Sequence, residues 1–409
     1  MNTSLRRRTP STLALLGVAA VLQLPLADLS AATESESTLT LHGFGTLGLA
    51  RTTTDRVEFV RDRSQPKGIT NQWSGRIDSV LGLQAYWQAA PSVELVGQVI
   101  SRLHYDGSHK PEVMWAFAKW EPDARLALRA GRIGADFMMQ ADSRLVGYSY
   151  LPVRPPADFF GPLFFSHLDG ADASLTLPLG NGLLHGKIFA GATQEKTTGV
   201  PGVWDTSGSP VRGFVLDYQT GPWLWRVNAA SIRFSNDIKL GQLQAGLRAT
   251  GAAAAAELLS TTGKTTTFYS MGVVYDEGPL QVQGMINKIH HETAVFQNSY
   301  AGYLLAGYRL GTFTPYTGVS RWISTYKDYR ATSTDPTANA MFDTIMHAST
   351  ANQTTYTLGV RWEVQQNVAA KVQWDAIRGR AESGFPYVNN QPGWGGRTDV
   401  LSLSVDFVF

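Results

Sequence analysis

A series of sixteen segments with alternating apolar and polar residues constrains the fold of this chain more than any other feature. Most segments are roughly 10–14 residues long, and Gly, Pro or Asn stands at many of their ends. A period of two places successive side chains on opposite faces of a strand, so the pattern predicts an all-β protein. The predicted strands are 38–51, 74–90, 92–106, 112–121, 124–133, 168–179, 182–192, 211–220, 222–235, 265–277, 279–292, 299–311, 312–326, 353–365, 367–380 and 396–409.

The connections between these segments alternate in length. Every second one is a tight turn, such as Gly180-Asn181, whereas the others are mostly long, with short exceptions at 107–111 and 293–298. Outer-membrane barrels have short periplasmic turns, long external loops and tilted strands of about 9–11 residues. The sequence therefore predicts a 16-stranded antiparallel up-and-down transmembrane β-barrel. A large soluble sandwich or propeller is the alternative, but it would not explain strands of this length.

Within each predicted strand, the alternation separates an apolar face from a polar one. In the last strand Leu403, Val405 and Phe407 share one face, and Ser404 and Asp406 share the other. We expect the apolar faces to contact lipid and the polar faces to line a wet lumen. Aromatic residues at the strand ends predict two interfacial girdles. The girdle near the turns is Trp87, Trp120, Trp223, Tyr275, Phe313 and Trp362, and the girdle near the loops is Tyr105, Phe234, Phe268 and Trp322.

The N-terminus has the layout of a secretory signal peptide. Three arginines at 6–8 precede a short apolar run at 13–22, and small residues follow at 30–32. We expect residues 1–32 to be removed, which leaves a mature barrel of residues 33–409. A transmembrane helix is the alternative, but a helical span needs about 20 apolar residues and this run has roughly half of them.

Charge and cysteine content exclude several classes of function. The full chain has 35 basic and 33 acidic side chains, and the predicted signal peptide contains three Arg and one Asp. The mature chain is therefore formally neutral, so no positive field indicates nucleic-acid binding. The absence of Cys excludes a disulfide scaffold and a Cys-ligated metal site. We expect no cofactor and no metal.

Enzyme motifs are weak in this sequence. The adjacent His290 and His291 would point to opposite faces of a strand, which is poor geometry for a shared metal or a catalytic dyad. No Gly-x-Ser-x-Gly, His-Glu-x-x-His or nucleotide-loop pattern is present, so we expect a protein that is not an enzyme. Segment 238–260 contains good helix formers at Ala252–Ala256 and predicts a short helix in an external loop. A lid or a partner-binding helix is the alternative for this segment.

Taken together, the signal peptide, the sixteen strands, the turn asymmetry and the terminal Phe409 resemble the porins of Gram-negative bacteria. The resemblance implies a cell outer-membrane location, a homotrimer, and recognition of Phe409 by the barrel-assembly machinery. It also implies that the third external loop, 134–167, folds into the lumen. This loop contains the Pro155–Pro162 stretch, which is similar to the Pro-acidic-Phe-Gly segment of many porin constriction loops. The alternative is a loop that lies over the trimer or the barrel mouth.

Six charged residues are the candidates for the pore constriction. By parity Arg76, Arg102 and Arg129 lie inward on neighbouring strands of one wall. The predicted constriction loop carries the opposing carboxylates, Asp136, Asp142 and Asp158. Opposed rows of charge would produce a transverse field across the pore. The alternative is that the three arginines only bind neighbouring strands together through ion pairs.

These features predict an outer-membrane porin through which small hydrophilic solutes diffuse passively. A channel selective for small anionic or aromatic solutes is the main alternative. A barrel receptor, an adhesin or a barrel enzyme is a further one. The sequence itself contains no motif that selects the solute.

Overall fold

A computed structural model describes residues 38–199, 202–325 and 327–409. In these residues sixteen antiparallel strands form a closed barrel, which confirms the predicted fold class. Strand β1 pairs with both β2 and β16 and so closes the ring. The predicted signal peptide lies outside the described residues, and its removal stays a prediction. The strands are β1 Leu39–Thr52, β2 Val80–Ala90, β3 Val93–Ser101, β4 Glu112–Trp120, β5 Leu126–Gly134, β6 His167–Leu179, β7 Gly182–Ala192, β8 Pro210–Thr220, β9 Trp223–Arg233, β10 Thr265–Glu277, β11 Leu280–His291, β12 Asn298–Tyr308, β13 Phe313–Thr325, β14 Asn352–Gln365, β15 Val368–Gly379 and β16 Arg397–Val408.

The longest disagreement with the predicted strand bounds is at β2, which begins at Val80 and not at residue 74. Within 74–79 the chain makes an isolated bridge, from Ser74 to Ala50 of β1, and is not part of a strand. It then turns inward, so that Ile77 and Asp78 are both buried. The alternation from 74 to 79 therefore does not mark a strand. Asp78 pairs with the buried Arg154 inside the barrel, and this contact draws the segment away from the barrel wall.

The exposure of alternate residues confirms the outward apolar face of the strands. On β16 Leu403 and Val405 are exposed, whereas Ser402 and Asp406 are completely buried. The aromatic girdle near the turns is also exposed at five of its six predicted positions, and Tyr275 is half-buried. The predicted girdle near the loops is wrong. Phe234, Phe268 and Trp322 are buried and Tyr105 is half-buried, because these strand ends turn their rings towards the packed external loops.

The main hydrophobic core lies inside the barrel and between the external loops. The loops used below are L1 (53–79), L3 (135–166), L4 (193–209), L5 (234–264), L7 (326–351) and L8 (380–396). L3 contains helix α1, Ala157–Phe160. L5 contains α2, Gly241–Ala249, and α3, Ala253–Leu258, as the composition of 238–260 predicts.

L7 contains a helix that the sequence did not reveal, α4, Pro336–His347. Its N-cap is Asp335, whose carboxylate accepts a hydrogen bond from the backbone N–H of Thr337 at 2.8 Å. The Asp-Pro start was a usable signal for this helix. L4 contains a two-stranded hairpin, Lys196–Gly199 with Gly202–Asp205. Among the described residues, no helix is long and apolar enough to cross a membrane.

Candidate pore constriction

L3 lies against the inner wall of the barrel, where side chains of β14 and β15 bind its backbone. The ammonium of Lys371 donates to the Gly147 and Tyr150 carbonyls at 2.7 and 2.8 Å. It also donates to the Pro152 carbonyl at 2.9 Å. Arg361 donates to the Tyr150 carbonyl at 3.0 Å. A Cβ at Gly147 would overlap with the carboxylate of Asp406 on β16, so the loop backbone is pressed directly against the wall.

A buried ion triad fixes the second half of L3 to the same wall. Arg154 donates to both carboxylate oxygens of Asp78, at 2.9 and 2.6 Å. Its third contact is the carboxylate of Asp375 on β15, at 3.0 Å. The side chains of Arg154 and Asp78 are 2% and 1% exposed, so the pair is shielded from water and from salt.

The first half of L3 faces the opposite wall with two carboxylates. Asp136 accepts hydrogen bonds from Lys187 on β7 and from Arg226 on β9, the latter at 3.4 Å. Asp142 lies beside Asp136 and is half-buried. Burial and the negative charge of Asp136 together raise the pKa of the Asp142 carboxyl to about 6. Asp142 is therefore an L3 carboxylate whose charge changes near neutral pH.

Of the three predicted arginines, Arg129 is the one that the structure brings to these carboxylates. Its Nε lies 3.0 Å from both oxygens of Asp172, its register partner on β6. Its positive charge also acts on Asp136 and Asp142. Arg129 thus pairs with the neighbouring strand and also lies close enough to the L3 carboxylates to act on their charge.

The other two predicted arginines lie elsewhere. Arg76 is exposed in L1, before β2 begins, and its Nη1 lies 3.4 Å from the Gly68 carbonyl. Its predicted place on the second strand is wrong. Arg102 follows the end of β3 and is 5% exposed, with its Nη2 4.0 Å from both Glu112 and Glu195. Burial opposes ionisation of Glu195, but the nearby His167 and Arg102 lower the pKa of its carboxyl to about 2. Nη1 of Arg102 also donates to the hydroxyl of Ser64 in L1 at 2.8 Å, so Arg102 connects L1 with L4.

Asp158 is also apart from the other two carboxylates. It lies in α1, is 1% exposed, and accepts hydrogen bonds from Ser320 at 2.6 Å and from Gln353. It attaches α1 to β13 and β14. The residues that the sequence did not nominate for the constriction are Lys187, Arg226 and Arg154. The period-two alternation of β7 and β9 puts Lys187 and Arg226 on the lumen face, but only the fold of L3 pairs them with Asp136.

A cavity of about 820 Å³ lies between L3 and the external loops. Its lining includes Phe137 and Phe164 of L3, Trp204 of L4, and the buried strand-end rings Phe268 and Trp322. Three of the four residues that the sequence placed in the girdle near the loops, Tyr105, Phe268 and Trp322, thus line this cavity. This cavity and the charged contacts below it are the two parts of the candidate site.

Phe409 lies at the seam where the barrel closes. Its backbone N–H donates to the Gly43 carbonyl at 2.9 Å, and the Gly43 N–H donates back at 2.8 Å. The ring is 66% exposed and stacks on Phe407, with the ring centroids 6.4 Å apart. A Cβ at Gly43 would overlap with the Phe409 ring, so glycine is required there for the ring to lie flat across β1.

Among the comparisons with known proteins, the one with solved structures supports this architecture. No protein-family model matches the chain, and no curated protein matches it significantly. Solved structures do match. OmpF of Salmonella typhi, in complex with daunomycin, has a TM-score of 0.57 at 12% identity, and the match covers 91% of this chain and 97% of the OmpF chain. An anion-selective porin from Comamonas acidovorans has a TM-score of 0.54 at 11% identity, covering 91% and 100%.

A trimer form of OmpT, an outer membrane protein of Vibrio cholerae, matches with a TM-score of 0.50 at 11% identity and covers 92% and 100%. Identities of this size carry information about the fold alone. The matches nevertheless extend over 91–92% of this chain. The chain therefore has the sixteen-stranded barrel fold of the Gram-negative outer-membrane porins.

Proposed function

We propose that the protein is a passive diffusion channel for small hydrophilic solutes in the outer membrane, with L3 as its constriction. The observation that carries the proposal is the placement of charged L3 side chains against lumen-facing partners. Asp136 contacts Lys187 and Arg226, while Arg154 contacts Asp78 and Asp375. Because ion pairs attach both the first and the second half of L3 to lumen-facing side chains, the loop stays inside the barrel and narrows the lumen.

The charges near L3 are paired but still reach water. The side chain of Arg129 is 25% exposed and that of Asp136 is 15% exposed. Such groups attract or repel a permeating ion, because in a narrow pore the distance between the ion and a fixed charge is shorter than the screening length of about 10 Å. The proposed pore is therefore weakly charge-selective, with the sign set by the balance of the L3 carboxylates and the basic wall.

We further propose a homotrimer that reaches the outer membrane with the help of the barrel-assembly machinery. The trimer form of the Vibrio cholerae protein with the same fold supports this assembly. The exposed apolar belt supports contact with outer-membrane lipid. In this proposal a secretory signal peptide, residues 1–32, directs the chain to the periplasm before insertion.

Single-channel recording of the purified protein in a planar bilayer tests the channel directly. We expect stepwise currents in KCl, whereas a receptor, an adhesin or a barrel enzyme with a closed lumen would give none. The Gly147→Val variant pushes L3 away from Asp406 and should change the conductance. The matched control is Gly246→Val, because a Cβ at Gly246 meets no atom within 4 Å. A silent wild-type protein, or equal conductance of the two variants, would contradict the proposal.

A further inference from the structure

The cavity between L3 and the external loops has an unusual chemical lining for a hydrophilic pore. Trp204 has ring contacts with Phe164, Phe234 and Phe296 at centroid distances of 5.7, 4.6 and 5.5 Å. Three of these four rings line the cavity directly. Its volume of about 820 Å³ lies within the range of roughly 300–1,000 Å³ found for small-molecule sites. Aromatic walls of this kind favour a flat apolar ring over a hydrated ion.

The cavity contains one arginine that has no acidic partner among the residues that the structure describes. Arg63 of L1 lines the cavity and its guanidinium lies 5.6 Å from the ring centroid of Phe385. Within the part of the chain that the structure describes, this guanidinium has no hydrogen bond and no ion pair. Burial lowers the pKa of Arg63 to about 10, so the group remains charged at neutral pH.

The backbone holds Arg63 at this position. Its N–H donates to the Gly161 carbonyl of L3 at 3.1 Å. Its carbonyl accepts from the hydroxyl of Thr197 in L4 at 2.9 Å. Thr197 is the register partner of Trp204, so the unpaired cation and the aromatic group are attached to one hairpin.

The rim of the cavity leads to the outside. Thr344, Glu382 and Asn389 line the cavity and are exposed on L7 and L8. Of the lining residues that the structure describes, Glu382 is the acidic one, and it lies 3.7 Å from Arg380 at the surface. It is therefore not a counter-ion for Arg63.

We propose that this cavity binds a small aromatic carboxylate, with its carboxylate on Arg63 and its ring among the aromatic side chains around Trp204. The proposal rests on the channel function above and names a solute class for it. The guanidinium supplies paired N–H donors for the two carboxylate oxygens, and the rings exclude water from the contact. A simple carboxylate such as acetate satisfies only the first half of the site, and a neutral aromatic alcohol only the second.

Calorimetric titration of the full-length protein in detergent tests the proposal at pH 7.5, with benzoate, acetate and benzyl alcohol as probes and protein-free micelles as the blank. We expect benzoate to bind more tightly than either of the other two. Arg63→Gln should weaken benzoate binding by about tenfold or more and leave benzyl alcohol unchanged, since a charged hydrogen bond is lost. Trp204→Ala should weaken both aromatic probes.

The matched control is Arg76→Gln, which removes an exposed arginine from the same loop and should leave all three affinities unchanged. Retention of the compact band on unheated gels shows that each variant is folded. Equal affinities for benzoate and acetate would overturn the aromatic part of the site. Equal effects of Arg63→Gln and Arg76→Gln on benzoate would overturn the carboxylate part. If benzoate binds as expected but the protein gives no single-channel current, the binding site is supported and the proposed channel function is wrong.

Discussion

At the scale of single residues, Asp142 is the group whose charge should respond to pH. The pKa of its carboxyl is raised to about 6 by burial and by Asp136, so it is mostly ionised at pH 7.5 and mostly neutral at pH 5. Acidification removes one negative charge from the constriction. We therefore expect the reversal potential in a KCl gradient to shift towards anion preference as the pH falls through about 6.

The Asp142→Asn variant should show at pH 7.5 the reversal potential that the wild type reaches at pH 5. It should also lose most of the pH dependence between these values. Asp328→Asn is the control, because Asp328 lies on the exposed surface of L7 with its side chain 59% exposed. A wild-type pH profile in Asp142→Asn would show that this carboxylate does not face permeating ions.

Arg154 is the residue on which the attachment of L3 depends most. Arg154→Met leaves Asp78 and Asp375 buried without a counter-ion, and the loss of one partner from a buried pair costs about 3–5 kcal/mol. We expect a lower urea midpoint in detergent and a noisier open-channel current. The double variant Arg154→Met/Asp78→Asn should recover part of the loss, because one of the unpaired charges is then removed. Arg330→Met, at an arginine 79% exposed, should have no effect on either measurement.

At the scale of elements, the closing pair β1–β16 depends on a terminal aromatic side chain. We expect Phe409→Ala to lower the amount of protein in the outer membrane, because the ring covers Gly43 and resembles the assembly signal of porins. The backbone bonds between Phe409 and Gly43 remain in this variant, so folding in detergent should change little. Immunoblots of outer-membrane fractions measure the difference.

Phe313→Ala provides the comparison for this terminal residue. Phe313 belongs to the girdle near the turns and is 48% exposed, but it lies at the start of β13 and far from the closing seam. A deficit confined to Phe409→Ala would identify the terminal position as the cause. Equal deficits in both variants would instead indicate a general effect of interfacial aromatic rings.

At the scale of the whole molecule, the lumen wall that faces the L3 carboxylates has three basic side chains, of which Arg129 and Arg226 also pair with carboxylates of the wall itself. Neutralising the wall in the triple variant Arg129→Gln/Lys187→Met/Arg226→Gln leaves these carboxylates in excess. We expect stronger cation preference, measured as a shifted reversal potential that is largest in dilute salt. Arg76→Gln should leave the potential unchanged. A larger shift of the reversal potential in Arg76→Gln than in the triple variant would instead indicate that Arg76 lies at the constriction.

Period-two alternation and the asymmetry of turns and loops were sufficient to predict the barrel. Both signals are local, because a strand that separates lipid from a lumen must alternate at every residue and a short turn needs particular residues. The same alternation puts Lys187 and Arg226 on the inner face, where both contact Asp136. It failed at residues 74–79 and at the buried rings of Phe234, Phe268 and Trp322. At these positions loops cover the strand ends, so the alternation of polar and apolar residues no longer indicates which side chains are exposed to water.

The tertiary structure alone decided which charges meet. Arg76, Arg102 and Arg129 looked equivalent by parity, but only Arg129 faces the L3 carboxylates, since the direction of a loop through a lumen depends on contacts across the barrel. Gly147 against Asp406 and Arg154 against Asp78 are separated by 259 and 76 residues, and no local pattern encodes such pairs. The amino-acid sequence by itself thus determined the barrel, its strand number and its two faces. The path of L3, and with it the proposed constriction and the aromatic cavity, was decided by long-range packing and buried charge.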